Sequence, residues 1–446
     1  SRVRPSLYPN DGSATWYLPA CAFAALPFLY WRGTMQYRFE IVCSDYHRGR
    51  LRIVYDPSAC SDTPESNVQI TKIVDIADTK EVVMNIGWAQ NIPFCVVPAL
   101  SVTNTGFANG SAFTSPNESH NGVITIYVLN ELTVPGDTIA PIDINVYVKM
   151  CDDAEFAVPM ESNISFTHYT TATPYEAQGD DQGRADDQCA VPVNDAVTDI
   201  INSEIPVTDE TYKVFMGEQI LSLRALLKRY VFHSIIQFEE SKTKEISVDR
   251  FTTTNFPIYR GLSSTGTNIA GTRNRVWTTL LHYIAPAYLV TRGSHRSKYL
   301  INNVGDAVSL RGSINRAYAD GAIESYFAWP IDQSDIDTVR TDYEIATYSG
   351  WNGMALTMLD KQPVLEAEFP YYSNRRFMCS KDRQFESSDT TYNPGYQNHT
   401  VQLIVSTENG SITTAPLLER YISVGEDFML AGFQGCPPIT TAIWSD

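Results

Sequence analysis

The sequence predicts an all-β protein: two β-sandwiches in tandem, the first lacking its opening strands, with few short helices. Three observations carry this. Several runs alternate apolar and polar residues with a period of two, as a half-buried strand requires. Aromatic residues are abundant (25 Tyr and 19 Phe) among many Val, Ile and Thr, the residue types that fit a pleated surface. Turn-forming pairs such as Asn109-Gly110, Asn121-Gly122 and Pro135-Gly136 separate the runs.

In chain order, residues 16–29 form an apolar stretch broken by Pro19 and Pro27 and are expected to be helical. From Thr34, Met35, Tyr37, Phe39, Ile41 and Cys43 alternate with polar neighbours through TMQYRFEIVCS, a strand. Arg48-Gly49-Arg50 leads into Leu51, Ile53 and Tyr55, which face opposite to Arg50 and Arg52, and Asp56-Pro57 ends that strand. Further strands are expected at 81–88, 93–103, 122–130 and 142–150, and a helix at 68–78. In the second half, Ile220, Leu223, Leu226 and Leu227 share one face of a short helix within 219–230. Strands are expected at 231–238, 246–252, 298–303, 307–314, 364–369, 401–406 and 420–432, and a helix at 275–283. The halves echo each other: an apolar stretch with a proline runs into Arg32-Gly33 and again into Arg292-Gly293. Duplication at this scale indicates two sandwiches or jelly rolls rather than a solenoid.

Between them, residues 171–210 hold ten acidic residues and one basic residue, Arg184. A packed core is not expected there. The organisation read from the chain is a partial sandwich over 1–165, an acidic junction and arm over 166–211, and a complete sandwich over 212–446.

Charge and motifs narrow the function. With 33 basic against 51 acidic residues the net charge is −18, unsuited to gripping nucleic acid by its phosphates. No stretch is long and unbroken enough to span a bilayer, so no membrane insertion is expected. The eight cysteines form no C-x-x-C pair and read as mostly free thiols of a reducing compartment. The seven histidines lack i, i+4 pairs; His47-Arg48 and His295-Arg296 read as solvated turns. No nucleophile elbow, P-loop, HExxH or dinucleotide fingerprint is present, and no cofactor or metal is expected. Gly179-Asp180-Asp181 spells a polymerase tripeptide, but in a polar stretch rather than a hairpin between apolar strands. Arg292-Gly293-Ser294 reads as an accident of a turn. Glu366 and Glu368 would share one strand face and could suit acid/base work on a glycan, so the alternative reading is a jelly-roll carbohydrate-active enzyme or lectin.

Tyr30-Trp31-Arg32-Gly33 with MQYRFEIV, then Tyr46-His47-Arg48-Gly49-Arg50-Leu51, then Asn121-Gly122-Val123-Ile124 and VYVKMCDDAEFAVP resemble the capsid proteins of picorna-like viruses. SLRALLKRY, LLHYIAPAYLVTRGS, Glu368-Phe369-Pro370-Tyr371-Tyr372, Gly425-Glu426-Asp427-Phe428 and FQGCPP resemble the dicistrovirus and marine RNA virus branch. The resemblance implies viral jelly rolls. It makes residues 34–43 and 49–55 strands D and E, and 81–88, 93–103, 122–130 and 142–150 strands F to I, with B and C missing. The chain would then be a polyprotein fragment that begins inside one subunit and runs through the next. It further implies a structural capsid polypeptide, not an enzyme, assembled in the host cytoplasm into the icosahedral shell of a small positive-strand RNA virus. Its partners would be other capsid subunits, the enclosed RNA (mostly indirectly) and an unidentified host receptor. Viral cysteine proteases favour Gln before a small residue. Gln178-Gly179, Gln182-Gly183 and Gln188-Cys189 are therefore candidate processing sites in the junction. Some relatives carry an Asp-Asp-Phe motif thought to assist maturation cleavage. Here stand Asp152-Asp153-Ala154 and Glu426-Asp427-Phe428, neither an identical match, and no catalytic residue is assigned.

Overall fold

The computed structural model describes residues 1–5, 15–57, 70–90, 92–99, 119–134, 141–160, 197–199, 220, 222–237, 246–257, 277, 279–302, 307–317, 324–331, 350–351, 353–358, 361–373, 375–380, 398–407, 417–437 and 439–440. These residues divide into two compact units, the first centred on 1–164 and the second on 221–446. The strands, in order, are β1 (Thr15–Trp16), β2 (Phe28–Arg32), β3 (Met35–Val42), β4 (Arg48–Asp56), β5 (Ile70–Asp75), β6 (Glu81–Ile86), β7 (Cys95–Val96), β8 (Val123–Thr133), β9 (Asp143–Met150), β10 (Glu155–Pro159) and β11 (Val197–Asp199). They continue with β12 (Val231–Gln237), β13 (Ile246–Thr254), β14 (Tyr288–Arg292), β15 (His295–Asn302), β16 (Ala307–Ala317), β17 (Glu324–Ile331), β18 (Met354–Met358), β19 (Val364–Phe369), β20 (Met378–Cys379), β21 (Asn398–Thr407), β22 (Leu417–Val424), β23 (Met429–Phe433) and β24 (Ile439–Thr440).

Unit 1 contains the sheets β11-β6-β3-β9, β5-β4-β8 and β10-β2-β7. The alternation read in β3 is its burial pattern: Met35, Tyr37, Phe39 and Ile41 are buried, and Gln36, Arg38 and Glu40 are half-buried. Pro19 precedes a six-residue helix, Ala20–Ala25, and the chain is already a strand at Phe28. The expected helix over 16–29 is therefore shorter, because Pro27 cannot continue it.

Three expectations for unit 1 are corrected. Residues 70–75 form a strand paired with β4, not a helix. Their apolar residues at i, i+3 and i+4 imitate a helix because Ile73, on the outer face, is 59% exposed while Val74 is buried. Strand β5 therefore takes the F position and β6, paired with β3, the G position, one strand earlier than the resemblance implied. Only Cys95–Val96 of the run expected over 93–103 is a described strand, and it pairs with β2. Finally, residues 1–3 lie antiparallel against the start of β8, through Val3 N–H to Gly122 O (2.9 Å) and Asn121 N–H to Val3 O (2.8 Å). The place of strand C is thus begun rather than empty. Within the acidic stretch, Val197–Asp199 adds a parallel strand beside β6.

Unit 2 has two fuller sheets, β12-β22-β15-β19 and β17-β13-β21-β16-β18. In jelly-roll letters these read B-I-D-G and C-H-E-F, with β17 added outside β13. Strands β17 and β18 were not foreseen, and the strand expected over 420–432 is two, broken at residues 425–428. Ile236, Phe251, Tyr299, Ile301, Ile314, Leu365, Phe369, Val401, Leu403, Val405 and Leu418 form one core cluster between the sheets. Such burial is worth roughly 1.5–3 kcal/mol per large side chain. The helices are short: Leu223–Leu227, where Ser222 Oγ accepts from Arg224 N–H at 3.2 Å, and Leu280–Ile284.

Candidate functional site

The same corner is built twice. In unit 1 the chain leaves β2 through Arg32-Gly33-Thr34 and enters β3; in unit 2 it leaves β14 through Arg292-Gly293-Ser294 and enters β15. Each corner is held by the turn that follows the neighbouring strand, Cys151–Ala154 after β9 and Gly425–Phe428 after β22. Cys151 N–H donates to Thr34 O at 2.9 Å, and Gly425 N–H donates to Ser294 O at 2.9 Å. Asp153 then accepts from Thr34 N–H at 2.9 Å and from the Thr34 hydroxyl at 2.6 Å. Asp427 accepts from Ser294 N–H at 2.9 Å and from the Ser294 hydroxyl. These charge-assisted bonds satisfy a backbone donor that the corner removes from its sheet ladder.

The glycines are required there. Gly33 (φ 135°) and Gly293 (φ 120°) occupy backbone conformations that L-residues rarely adopt. A Cβ on Gly33 would lie 2.8 Å from Ala154 Cα, and one on Gly293 would lie 2.6 Å from Asp427 O. The Arg-Gly-Ser sequence dismissed as an accident is thus half of a repeated clasp. Its partners lie 119 and 133 residues away in sequence, so no local pattern announces it. The echo of the two Arg-Gly pairs, each matched by an Asp just after the neighbouring strand, is the signal that could have found it.

Around the unit 2 clasp the carboxylates are all engaged. Glu368 accepts from Ser294 Oγ at 2.9 Å and pairs with Arg296 at 2.9 Å. Glu366 accepts from Tyr230 O–H at 2.6 Å and pairs with Lys298 at 3.1 Å. Glu426 pairs with Lys228. The single Ser294 hydroxyl hydrogen can serve Asp427 or Glu368 at any moment, not both. The Tyr230 hydrogen bond holds Glu366 below its ordinary pKa, and the Ser294 hydroxyl does the same for Asp427. A glycosidase acid needs a carboxyl raised toward neutrality, so Glu366 is tuned in the wrong direction for that role.

The histidines correct another expectation. His47 and His295 are buried, not solvated. His47 Nδ1 accepts from Ser44 N–H at 3.1 Å. His295 opens β15 directly beneath the clasp, and His399 reaches the same interior from β21. Among the described residues, Cys21, Cys43, Cys95, Cys151, Cys379 and Cys436 form no disulfide. Asn398, one of four N-x-S/T sequons, is buried within β21. Gln178, Gly179, Gln182, Gly183, Gln188, Cys189 and the Gly179-Asp180-Asp181 tripeptide lie outside the described residues. Among the described residues no three His, Cys, Asp or Glu side chains converge on a metal site, and no helix is long and apolar enough to cross a membrane.

Residues 208–443, more than half of the chain, match the family model described as "CRPV capsid protein like". The structural polyprotein of cricket paralysis virus is 22% identical over 394 residues, covering 79% of this chain and 42% of the polyprotein. The genome polyprotein of deformed wing virus is 26% identical over 163 residues, 36% of this chain and 5% of that one. The chain therefore spans less than half the length of these relatives. Among solved structures, that of a marine algae virus of the order Picornavirales is 27% identical, covering 55% of this chain and 93% of its own, with a TM-score of 0.46. The Triatoma virus empty capsid is 23% identical over 39% of this chain and 70% of its own, with a TM-score of 0.31.

Proposed function

The chain belongs to the CRPV capsid protein-like family, structural components of virions and not enzymes, and from that premise we propose that it supplies two neighbouring wall modules of an icosahedral shell around a positive-strand RNA genome. The observation that carries this is the pair of sheets in unit 2, in B-I-D-G and C-H-E-F order, closed by a clasp that unit 1 repeats. Two sandwiches with one corner geometry suit repeated lateral packing against other capsid subunits.

In this reading, residues 1–165 form one module, 166–211 a junction, and 212–446 a second module. The junction is cut by a viral cysteine protease at Gln178-Gly179, Gln182-Gly183 or Gln188-Cys189, since its polar, acidic composition is of the kind in which nicking concentrates. Contact with RNA is mostly indirect, because the chain is acidic and counterions must intervene. The host receptor is a further partner. Negative-stain electron microscopy of the purified polypeptide tests assembly: closed shells support the reading, and a persistently monomeric chain rejects it. Intact-mass analysis of particles tests the junction. Two products separated within 171–210 are expected, and a single uncut polypeptide rejects processing there.

A further inference from the structure

Beneath the clasp the two units differ in chemistry. Strands β3 and β15 are superimposable by register: Met35 stands opposite Ile86 and Met150, and His295 opposite Phe369 and Val424. In the same register Phe39 corresponds to Tyr299, and Val146 on β9 corresponds to Arg420 on β22. At these positions buried Met35 and Phe39 and the exposed Val146 of unit 1 are replaced in unit 2 by His295, Tyr299 and Arg420, which are 7%, 0% and 1% exposed. His399 joins them from β21.

His399 is stacked on Phe369 at 4.3 Å. Its Nε2 is 2.6 Å from the Tyr299 hydroxyl and its Nδ1 is 2.8 Å from Asn255 Oδ1. A neutral ring satisfies both, with Nδ1–H donating to Asn255 and Nε2 accepting from Tyr299. A second proton on Nε2 would face a hydroxyl whose hydrogen must turn away inside the core. His295 packs edge-on against Phe256 and Phe428, at 5.5 and 5.3 Å. From β22, Arg420 donates to Thr253 Oγ1 (3.1 Å) and Thr254 O (2.9 Å), both uncharged. From the corner, Asp427 acts on His295 but is bonded to Ser294. On β13, buried Asp249 lies four residues from Thr253, about 13 Å along the strand. On β19, Glu366 and Glu368 are engaged by Lys298 and Arg296 on the outer face. On β12, His233 is buried beside Ser234 and stacks at 5.5 Å on His282 of the Leu280–Ile284 helix, and His282 Nε2 lies 3.1 Å from Pro257 O.

We propose that this cluster makes unit 2 an acid-sensitive module, which opens when His295 and His399 take up protons in the interior beside Arg420. Burial, reinforced by Arg420, pushes His295 down to about 4 and holds His399 well below its ordinary range. A free histidine titrates near 6.5, so the opened chain binds more protons than the closed one below that pH. Stability is therefore present above about pH 6.5 and is lost as pH falls toward 4, by up to about tenfold in the opening equilibrium per pH unit for each histidine. Unit 1 has one counterpart, His120, which burial near Arg2 and Arg4 also pushes down to about 4. His295 and His399 should thus add about two protons to the opening of unit 2, and His120 about one to that of unit 1. On the capsid reading this places acid opening of the wall in unit 2; the test does not depend on assembly.

The experiment is hydrogen exchange by mass spectrometry on the full chain, with protection corrected for the intrinsic pH dependence of exchange. Between pH 7.5 and 5.5, protection in β15, β21 and β22 should fall about a hundredfold and in β3 and β6 about tenfold. His295→Met, which installs the unit 1 residue, should cut the unit 2 loss to about tenfold, and His399→Gln should do likewise. A unit 2 loss no larger than that of unit 1, or one unchanged in both variants, overturns the proposal. Should the variants fail to fold, C2-proton exchange of individual histidines in the wild-type chain decides. His295 and His399 titrating well below 6.5 supports it, and ordinary titration of either overturns it.

Discussion

Met35 and His295 occupy the same place in two copies of one corner. Each follows a clasped residue, Thr34 or Ser294, and each stands opposite the last residue of a neighbouring strand, Met150 or Val424. Met35 is paired with the apolar Ile86 and Met150, and unit 1 buries its own polar groups, Arg2, Arg4 and His120, near Tyr37 and the start of β8; around His295 the interior holds a second histidine, a tyrosine and a buried guanidinium. The backbone path is the same in both. Strand register and the Gly–Asp clasp therefore set the corner, and the side chains beneath it are free to specialise. A second difference lies at the edges. In unit 2, β22 is flanked by β12 and β15, and β21 by β13 and β16. Among the described residues of unit 1, β9 pairs with β3 alone and β8 mainly with β4, and Val128, Leu129, Val146 and Tyr147 are between 41% and 67% exposed. Open apolar edges of this kind associate unless covered.

The largest effect should come from separating the units. Residues 212–446 expressed alone are expected to remain soluble and monomeric by size-exclusion chromatography, and residues 1–165 to aggregate or associate through β8 and β9. Equal behaviour of the two would break the comparison. Next come the glycines. Gly33→Ala and Gly293→Ala each combine a left-handed backbone with overlap against the opposing turn, and each should cost about 2–4 kcal/mol in denaturant unfolding. A negligible effect at one site alone would mean that only one unit depends on the clasp.

Asp153→Asn and Asp427→Asn keep the shape of the clasp and remove its charge. A loss of about 1 kcal/mol is expected at each, since both aspartates are exposed and the bonds are partly screened. The pH window separates this term from the histidines. Asp427 is held below its ordinary value by Ser294, so its contribution is intact above the unfolded carboxyl pKa of about 4 and is lost only as pH falls below that. The smallest effect is predicted for Lys298→Met, which removes a surface partner of Glu366; its unfolding midpoint should match that of the wild type within error.

Much of this was legible in the chain. The period of two in Met35–Ile41 gave the strand and its buried face, and the family resemblance implied its place in the sheet. The repeated Arg-Gly pairs gave the duplication. What the chain concealed was whatever depends on distant partners or on edges. Ile70, Ile73 and Val74 imitate a helix because an edge strand can afford an exposed isoleucine on its outer face. Met354, Leu356 and Met358 gave no recognised strand signal because their apolar face is the exposed one, between 40% and 51%. His295 resembled a solvated turn residue because Arg296 beside it is a surface ion-pair partner. In a strand, adjacent residues face opposite ways, so a charged neighbour says nothing about burial. The clasp joins residues more than a hundred positions apart, and no window of sequence contains both of its halves.

The central claim is that the chain holds one capsid module twice, complete in unit 2 and open-edged in unit 1. A cryo-electron microscopy reconstruction of assembled particles tests it most directly. Both clasps are expected in place, Asp153 on Thr34 and Asp427 on Ser294, with a further strand lying along β9 and along the length of β8 in every copy of unit 1. A reconstruction in which those two edges face solvent, or in which either clasp is absent, would contradict it.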